Sequence, residues 1–269
     1  MDIQTSHICN LLSLELIAEY YSVEASLLKQ YYTELYDDTV FINALNRKIE
    51  DCQPFYSEGL FSRKDIDTVD WFGNQRISLY VLIRLLKPEL CVETGVFYGG
   101  TTAFILNAIS KNKTGRLISI DLPGNNEEQM NYARHSNVGC SEIIPDGLRT
   151  GFIVPDYLKD SWELKLDDSR EVIPQLVEPV GFFSHDSEHS HDFILSELNL
   201  VKAKLSQNAT IFADDVNWSN GFLEFCVKEK LYPLFLTDNG KGSLKMRLGM
   251  TWMNHPNNGK QEVTGSSTK

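Results

Sequence analysis

The segment 89–102 constrains the fold more than any other part of the chain, because an apolar strand there runs into a glycine-rich turn and then into a helix. Its sequence is Glu-Leu-Cys-Val-Glu-Thr-Gly-Val-Phe-Tyr-Gly-Gly-Thr-Thr. Glycine allows a sharp turn and a close approach of the backbone to a ligand, and a helix that begins there presents free N–H groups. We therefore predict a nucleotide-cofactor site. An ordinary βα turn that uses its glycines for tight packing is the alternative.

The spacing of the glycines distinguishes two cofactor classes. A dinucleotide-binding fold has the pattern G-x-G-x-x-G, and Phe97 stands where its second glycine would be. An NAD-dependent oxidoreductase is therefore disfavoured. The pattern E-x-G-x-x-x-G-G-T-T instead resembles motif I of the class I S-adenosylmethionine-dependent methyltransferases. The candidate cofactor-binding residues in this segment are Glu93, Thr94, Gly95, Phe97, Gly99, Gly100, Thr101 and Thr102.

From Trp71 onwards the sequence alternates helices with short apolar strands, which is typical of a parallel sheet covered on both faces. Near the end, the apolar runs 232–236 and 244–248 flank a turn sequence and are predicted to form a hairpin. The predicted fold class is α/β, a Rossmann-like doubly wound sheet that is mostly parallel. A C-terminal antiparallel hairpin and an N-terminal helical extension complete it.

Three parts of the chain are distinguished by composition. Residues 1–70 carry apolar and tyrosine positions at helical spacing and form the N-terminal extension, which we expect to cover the sheet or to form a homo-oligomer contact. Residues 71–253 form the α/β domain. Residues 254–269 are polar and rich in Gly, Ser and Asn, which predicts a disordered tail.

Charge and composition exclude several kinds of partner. Acidic residues outnumber basic ones 37 to 25, and no basic cluster is present, so a nucleic-acid backbone would be repelled. No stretch has the roughly twenty apolar residues of a membrane span. The five cysteines are scattered and never in C-x-x-C spacing, which argues against disulfides and zinc. We expect a cytoplasmic protein whose partner is a small-molecule acceptor, with no nucleic acid and no membrane.

Polar residues follow the predicted strands, at the edge where open α/β sheets bind ligands. Asp121 comes about twenty residues after the glycine turn, where an acid can accept hydrogen bonds from ribose hydroxyls. Alternatively, it only caps the next turn. Asp168 and Ser169 resemble the methyltransferase G-D-S step, which lies beside adenine, although Asp167 replaces the usual glycine. They could equally cap the following helix.

Three acids at the ends of two further strands, Asp186, Asp214 and Asp215, would repel one another in a shared cleft. A divalent cation relieves such repulsion, and oxygen ligands suit Mg²⁺. Solvated turn residues are the alternative. His189 lies three residues after Asp186 and could accept a proton from a substrate hydroxyl.

With these motifs, residues 71–252 resemble the metal-dependent class I methyltransferases grouped with macrolide and aminocoumarin sugar O-methyltransferases. The resemblance is carried by the glycine turn, by His-Asp-Ser-Glu-His at 185–189 and by Ala-Asp-Asp-Val at 213–216. It implies that Asp186, Asp214 and Asp215 bind Mg²⁺, that Asp186 and His189 are catalytic, and that Asp186 also borders the cofactor.

The predicted function is methyl transfer from S-adenosylmethionine to a hydroxyl of a small polar molecule, such as a sugar unit of a natural product or glycan. The predicted cofactors are S-adenosylmethionine and Mg²⁺ or another divalent cation that prefers oxygen. A degenerate methyltransferase domain that acts as a binding or assembly protein is the non-catalytic alternative.

Overall fold

A single seven-stranded sheet organises the residues that the computed structural model describes, which are 3–52, 71–123, 144, 147–238 and 245–260. The strands are β1 (Leu90–Thr94), β2 (Arg116–Asp121), β3 (Trp162–Leu166), β4 (Val180–His185), β5 (Leu205–Ala213), β6 (Pro233–Asp238) and β7 (Lys245–Trp252). Their order across the sheet is β3-β2-β1-β4-β5-β7-β6. The first five strands are parallel, and β7 runs antiparallel to both β5 and β6. The predicted fold class is confirmed.

Helices precede the sheet and connect its strands. They are α1 (Ile3–Tyr21), α2 (Ala25–Tyr36), α3 (Thr39–Cys52), α4 (Asn74–Leu86), α5 (Gly100–Asn112), α6 (Ser169–Val172), α7 (His191–Lys202) and α8 (Gly221–Lys228). Short 3₁₀ turns span Asp156–Ser161 and Ile173–Gln175. Helix α6 is short, because Pro174 has no N–H to continue the α-helical ladder. None of the described helices is both long and apolar enough to cross a membrane.

Apolar side chains alternate between the two faces of the sheet. In β4, Phe182 packs with α1, α4 and α5 on one face, and Phe183 packs with α7 and α8 on the other. In β5, Phe212 packs on the same face as Phe182, and Ile211 packs on the same face as Phe183. Because successive side chains of a strand point to opposite faces, both faces of these central strands are buried.

Helix α1 packs against one face of the sheet, which is one of the two roles expected of the N-terminal extension; residues 53–70 lie outside the described residues. The Tyr21 hydroxyl hydrogen-bonds to Thr210 Oγ1 of β5 at 2.6 Å, and the Tyr20 hydroxyl donates to the carbonyl of Tyr232 at 2.5 Å. In α4, Asn74 Nδ2 donates to Ser13 Oγ of α1 at 2.7 Å. These hydrogen bonds fix α1 against the sheet and against α4. Their role in an oligomer contact stays a prediction.

The predicted disordered tail begins too early, because residues 254–260 form turns that pack on the domain. The ring of His255 stacks on Tyr20, with ring centroids 4.3 Å apart. Asn258 accepts a hydrogen bond from the Tyr232 N–H at 2.9 Å and donates to the carbonyl of Met253. Polar composition alone suggested disorder, whereas these side chains satisfy specific backbone groups. Residues 261–269 lie outside the described residues.

The direction of strand order reverses at β1. Strands β2 and β3 lie on one side of it, and β4 and β5 lie on the other. In open α/β sheets this switch point opens a crevice beyond the carboxyl ends of the strands, where ligands bind. The acids and glycines predicted to be functional follow the strands that border this crevice.

Candidate active site

Glu93, near the end of β1, is fully buried and holds the start of α5. Its Oε2 accepts hydrogen bonds from Thr102 Oγ1 at 2.7 Å and from Ser119 Oγ at 2.8 Å. Burial raises the pKa of Glu93 to about 7, since two hydroxyl donors only partly replace the lost water. Glu93 and Thr102 therefore bind each other in this arrangement. Cofactor contact by either side chain stays a prediction.

Asp121 anchors the glycine turn through backbone N–H groups. Its Oδ2 accepts from the N–H of Val96 at 3.1 Å and of Phe97 at 2.8 Å, and its Oδ1 accepts from the N–H of Leu122. Phe97 has a φ of +52°, a left-handed conformation that these bonds help to hold. Burial raises the pKa of Asp121 against these hydrogen bonds, which lower it. The bond from Leu122 shows that Asp121 caps the next turn, and its predicted contact with the ribose stays a prediction.

The glycines of the turn admit close approach of the protein's own backbone. A Cβ on Gly95, whose φ is +82°, would lie 2.0 Å from the carbonyl oxygen of Asp186. A Cβ on Gly99 would lie 2.8 Å from Cα of Gly151. The alternative of tight packing thus explains these two positions directly. Gly95, Phe97 and Thr101 are nevertheless only half-buried, so the turn remains accessible from the crevice.

Glu197 of α7, which sequence reasoning did not single out, is a buried centre of hydrogen bonding below the crevice. His185 Nδ1 lies 2.6 Å from its Oε2, and Thr94 Oγ1 donates to the same oxygen at 2.9 Å. The hydroxyls of Ser169 and Ser187 donate as well. Glu197 falls on the apolar face of α7, so an acid on that face was the available signal. It joins the ends of β1 and β4 to the start of α6.

The structure places Asp168 and Ser169 as helix-capping and bracing residues. Asp168 Oδ1 accepts from the N–H of Arg170 at 2.8 Å and so caps α6, and its carboxylate pairs with the Arg170 side chain. Ser169 is buried with its hydroxyl on Glu197. The helix-cap interpretation is therefore the one observed. An adenine contact by these residues stays a prediction.

Each of the three predicted metal ligands has a protein partner. Asp215 Oδ1 accepts from Arg247 Nε of β7 at 2.6 Å. Asp214 Oδ2 lies 3.5 Å from Arg247 Nη2. Across the crevice, Asp186 Oδ2 accepts from Gln75 Nε2 of α4 at 3.0 Å. Sequence patterns gave no signal for Gln75 or Arg247, because their positions depend on how α4 and β7 pack.

His189 lies between the two groups of acids. Its Nε2 is 3.9 Å from Asp186 Oδ1 and 4.0 Å from Asp215 Oδ2, and the His189 ring lies beside those of His185 and Trp218. Burial lowers the pKa of His189 to about 4, and the neighbouring His185 acts in the same direction. The imidazole is therefore neutral near pH 7, and the nearby carboxylate of Asp215 favours the positive charge that His189 would gain on accepting a proton. The structure thus brings together His189, Asp186 and Asp215, as predicted.

The acids do not fit a magnesium centre in this arrangement. Mg²⁺ needs near-octahedral oxygen ligands at about 2.1 Å, and in proteins usually one or two of them are carboxylates free to face the ion. Here the guanidinium of Arg247 pairs with both Asp214 and Asp215. Within the described part of the chain, no group of three or more His, Cys, Asp or Glu side chains could hold a metal ion. The metal site predicted at Asp186, Asp214 and Asp215 is not supported.

Comparisons with protein families and with solved structures indicate which class of protein this chain resembles. Residues 92–216 match the family model described as "Methyltransferase domain". The structure is similar to a provisionally assigned O-methyltransferase from Klebsiella pneumoniae, with a TM-score of 0.54 and 16% identity over 78% of this chain and 89% of that one. An O-methyltransferase from Bacillus cereus in complex with SAH has a TM-score of 0.50 and 13% identity, over 83% and 96%. A cofactor-bound protein from MTB has a TM-score of 0.50 and 12% identity, over 81% and 91%. Comparison with curated protein sequences gives no match.

The sheet order, the glycine turn and the acid at the end of β2 occur together in one domain, which is the combination that the resemblance to class I methyltransferases implies. The family match covers this same unit, from β1 to the turn after β5. The family match identifies residues 92–216 as a methyltransferase domain, and the fold is that of the similar O-methyltransferase structures, which confirms the resemblance to class I S-adenosylmethionine-dependent methyltransferases stated from motif I.

Proposed function

We propose that the protein methylates a hydroxyl group of a small polar molecule, with His189 as the general base. The observation that carries this proposal is the neutral, largely buried His189 imidazole, whose Nε2 faces Asp186 and Asp215 at the crevice. An alcohol is a poor nucleophile until its proton is removed, and a neutral imidazole held near carboxylates can remove it. Neutral His189 is ready to act without first losing a proton.

The crevice offers groups that fit S-adenosylmethionine. The Asp121 carboxylate is fixed at the switch point by backbone N–H groups, and Gly95, Phe97 and Thr101 are half-buried beside it. When bound, the cofactor supplies the methyl group and leaves as S-adenosylhomocysteine. We assign Asp121 to the ribose hydroxyls and the glycine turn to the rest of the cofactor. Positioning of the acceptor oxygen should contribute most of the acceleration.

Oxygen as the acceptor atom is supported by two features. The similar structures from Klebsiella pneumoniae and Bacillus cereus are described as O-methyltransferases. Asp186 and Asp215 can accept hydrogen bonds from a polyhydroxylated molecule, and the 67% exposed indole of Trp218 provides a flat apolar surface beside His189. A sugar unit of a natural product or glycan has hydroxyl groups for the carboxylates and an apolar ring face for the indole. Residues 124–143 and 145–146, between β2 and β3, lie outside the described residues.

The magnesium ion predicted from the sequence has no part in this proposal, because Arg247 pairs with two of its three predicted ligands. Proton removal is assigned to His189 alone.

An acceptor screen tests the proposal. Purified protein is incubated with S-adenosylmethionine labelled in its methyl group and with matched panels of sugars, phenols, amines and thiols. We expect label in hydroxyl compounds, and loss of that label in His189→Ala. Transfer only to amines or thiols, or equal transfer by His189→Ala, would contradict it.

A further inference from the structure

We infer that Arg247 takes the place of a divalent cation in the acceptor site, so that the site works without a metal. The inference rests on the proposed function, because it concerns the acids around the proposed base. Each of the three predicted metal ligands already has a protein partner.

Hydrogen bonds hold Arg247 in the site through both its backbone and its side chain. Its carbonyl accepts from the N–H of Val216 at 2.9 Å, and its Nε donates to Asp215 at 2.6 Å. Asp215 has a φ of +48°, a left-handed backbone conformation that is uncommon outside glycine. The turn after β5 and strand β7 thus form one unit, in which the guanidinium offsets one of the two negative charges of the turn. The carboxylates of Asp214 and Asp215 are largely buried, so their charges need a close partner.

A metal ion and this guanidinium would compete for the same oxygens. An ion bound to Asp215 Oδ1 would lie within about 5 Å of Arg247 Nε, which is already on that oxygen. Two cations at this separation repel strongly in a site with little water. Arginine stays protonated at all physiological pH values, so Arg247 keeps its positive charge and continues to repel a metal ion there.

The guanidinium also determines what the site can do chemically. It supplies positive charge and directed N–H donors, but it cannot coordinate an alcohol oxygen as a Lewis acid. Arg247 fixes the Asp215 carboxylate, whose other oxygen faces His189 at 4.0 Å. Arg247 is therefore a positioning residue that acts through Asp215.

Manganese binding tests the inference, since Mn²⁺ occupies oxygen sites for Mg²⁺ and is detected by electron paramagnetic resonance. The samples are EDTA-treated and dialysed wild-type protein, Arg247→Leu, Arg247→Lys and Arg116→Leu. Arg116 pairs with Glu163 and Glu178 away from the crevice, so its variant changes the net charge equally. We expect wild type, Arg247→Lys and Arg116→Leu to show no site tighter than about 1 mM. We expect Arg247→Leu to bind Mn²⁺ at least about tenfold more tightly than wild type.

Two results would overturn the inference. One is a submillimolar Mn²⁺ site in wild type that Asp215→Asn removes, a result that does not depend on the folding of any Arg247 variant. The other is unchanged Mn²⁺ affinity in an Arg247→Leu protein with a normal circular dichroism spectrum. Calorimetry with S-adenosylmethionine on the wild-type sample separates the two proposals. Failure to bind the cofactor counts against the proposed function, whereas the manganese result bears on Arg247 alone.

Discussion

Two buried glutamates hold the crevice together in different ways. Glu93 accepts from two hydroxyls and has a raised pKa, because burial outweighs those bonds. Glu197 accepts from three hydroxyls and pairs with His185, so its carboxylate is well compensated. The first residue should make stability depend on pH, and the second should contribute to stability at neutral pH.

Glu93 gives a prediction about pH. Its folded pKa of about 7 lies above the ordinary value of 4.5, so its folded form favours the proton. Its contribution to stability is therefore full below the ordinary value and is lost as the pH rises to about 7. Between about pH 5 and pH 8, wild type should lose roughly 2–3 kcal/mol of unfolding free energy relative to Glu93→Gln. Urea unfolding of both proteins across this range measures the difference, and parallel pH profiles would refute it.

Replacing Glu197 should be costly at any pH in the neutral range. Glu197→Gln introduces an amide N–H₂ where the neighbouring hydroxyls and imidazole need acceptors, which breaks a buried pair with His185. We expect a loss of about 3–5 kcal/mol in urea unfolding. Glu224→Gln, at a half-exposed carboxylate paired with His191, is the matched control and should change stability by less than about 1 kcal/mol. Equal effects in the two variants would show that Glu197 is not a structural centre.

His189→Ala should separate chemistry from binding. Affinity for S-adenosylmethionine should be nearly unchanged, while turnover with an identified hydroxyl acceptor should fall about 10²–10⁴-fold. His191 is exposed and pairs with Asp192 and Glu224, so His191→Ala is a matched control that should retain turnover. Near-normal turnover in His189→Ala, measured where chemistry limits the rate, would make another group the base.

At the scale of elements, the glycine turn is packed between β1, β4 and the loop before β3. Gly95 donates its N–H to the carbonyl of Ile120 at 2.9 Å, and the Asp186 backbone passes directly over its Cα. The turn is thus a joint between neighbouring strands as well as a candidate cofactor site. Its glycines were predictable from the motif, but the contact with Asp186 was not, because it arises from the pairing of β1 with β4.

Gly95→Ala should therefore destabilise the fold. Its Cβ would lie 2.0 Å from the Asp186 carbonyl oxygen, so β1 and β4 would have to move apart. We expect a loss of at least about 2 kcal/mol by urea unfolding. Gly259→Ala is the control, since Gly259 also has a positive φ, +77°, but nothing lies within 4 Å of its Cβ position. If both variants lose the same stability, the cost is backbone strain and the steric conflict has no measurable effect.

For the whole molecule, the sequence predicted the parallel sheet, the terminal antiparallel pair and the acids at the strand ends. Apolar runs followed by polar residues mark strand ends without tertiary information, which is why Asp121 and His189 were found. The partners of those residues were not predictable. Arg247 reaches Asp215 because β7 inserts between β5 and β6, and Gln75 reaches Asp186 because α4 packs at the crevice. Charge compensation among side chains therefore needed the three-dimensional arrangement.

The most direct test of the account is calorimetric binding of S-adenosylmethionine in the presence of EDTA. We predict one cofactor molecule bound per wild-type chain, with the same affinity whether or not Mg²⁺ is added. Asp121→Ala should bind the cofactor more weakly by roughly 1–3 kcal/mol, the cost of losing a charged hydrogen-bond acceptor. Asp156→Ala, at an exposed carboxylate paired with Lys48 and Lys159, should bind like wild type. Absence of binding by the wild-type protein, or binding that requires Mg²⁺, would contradict the account.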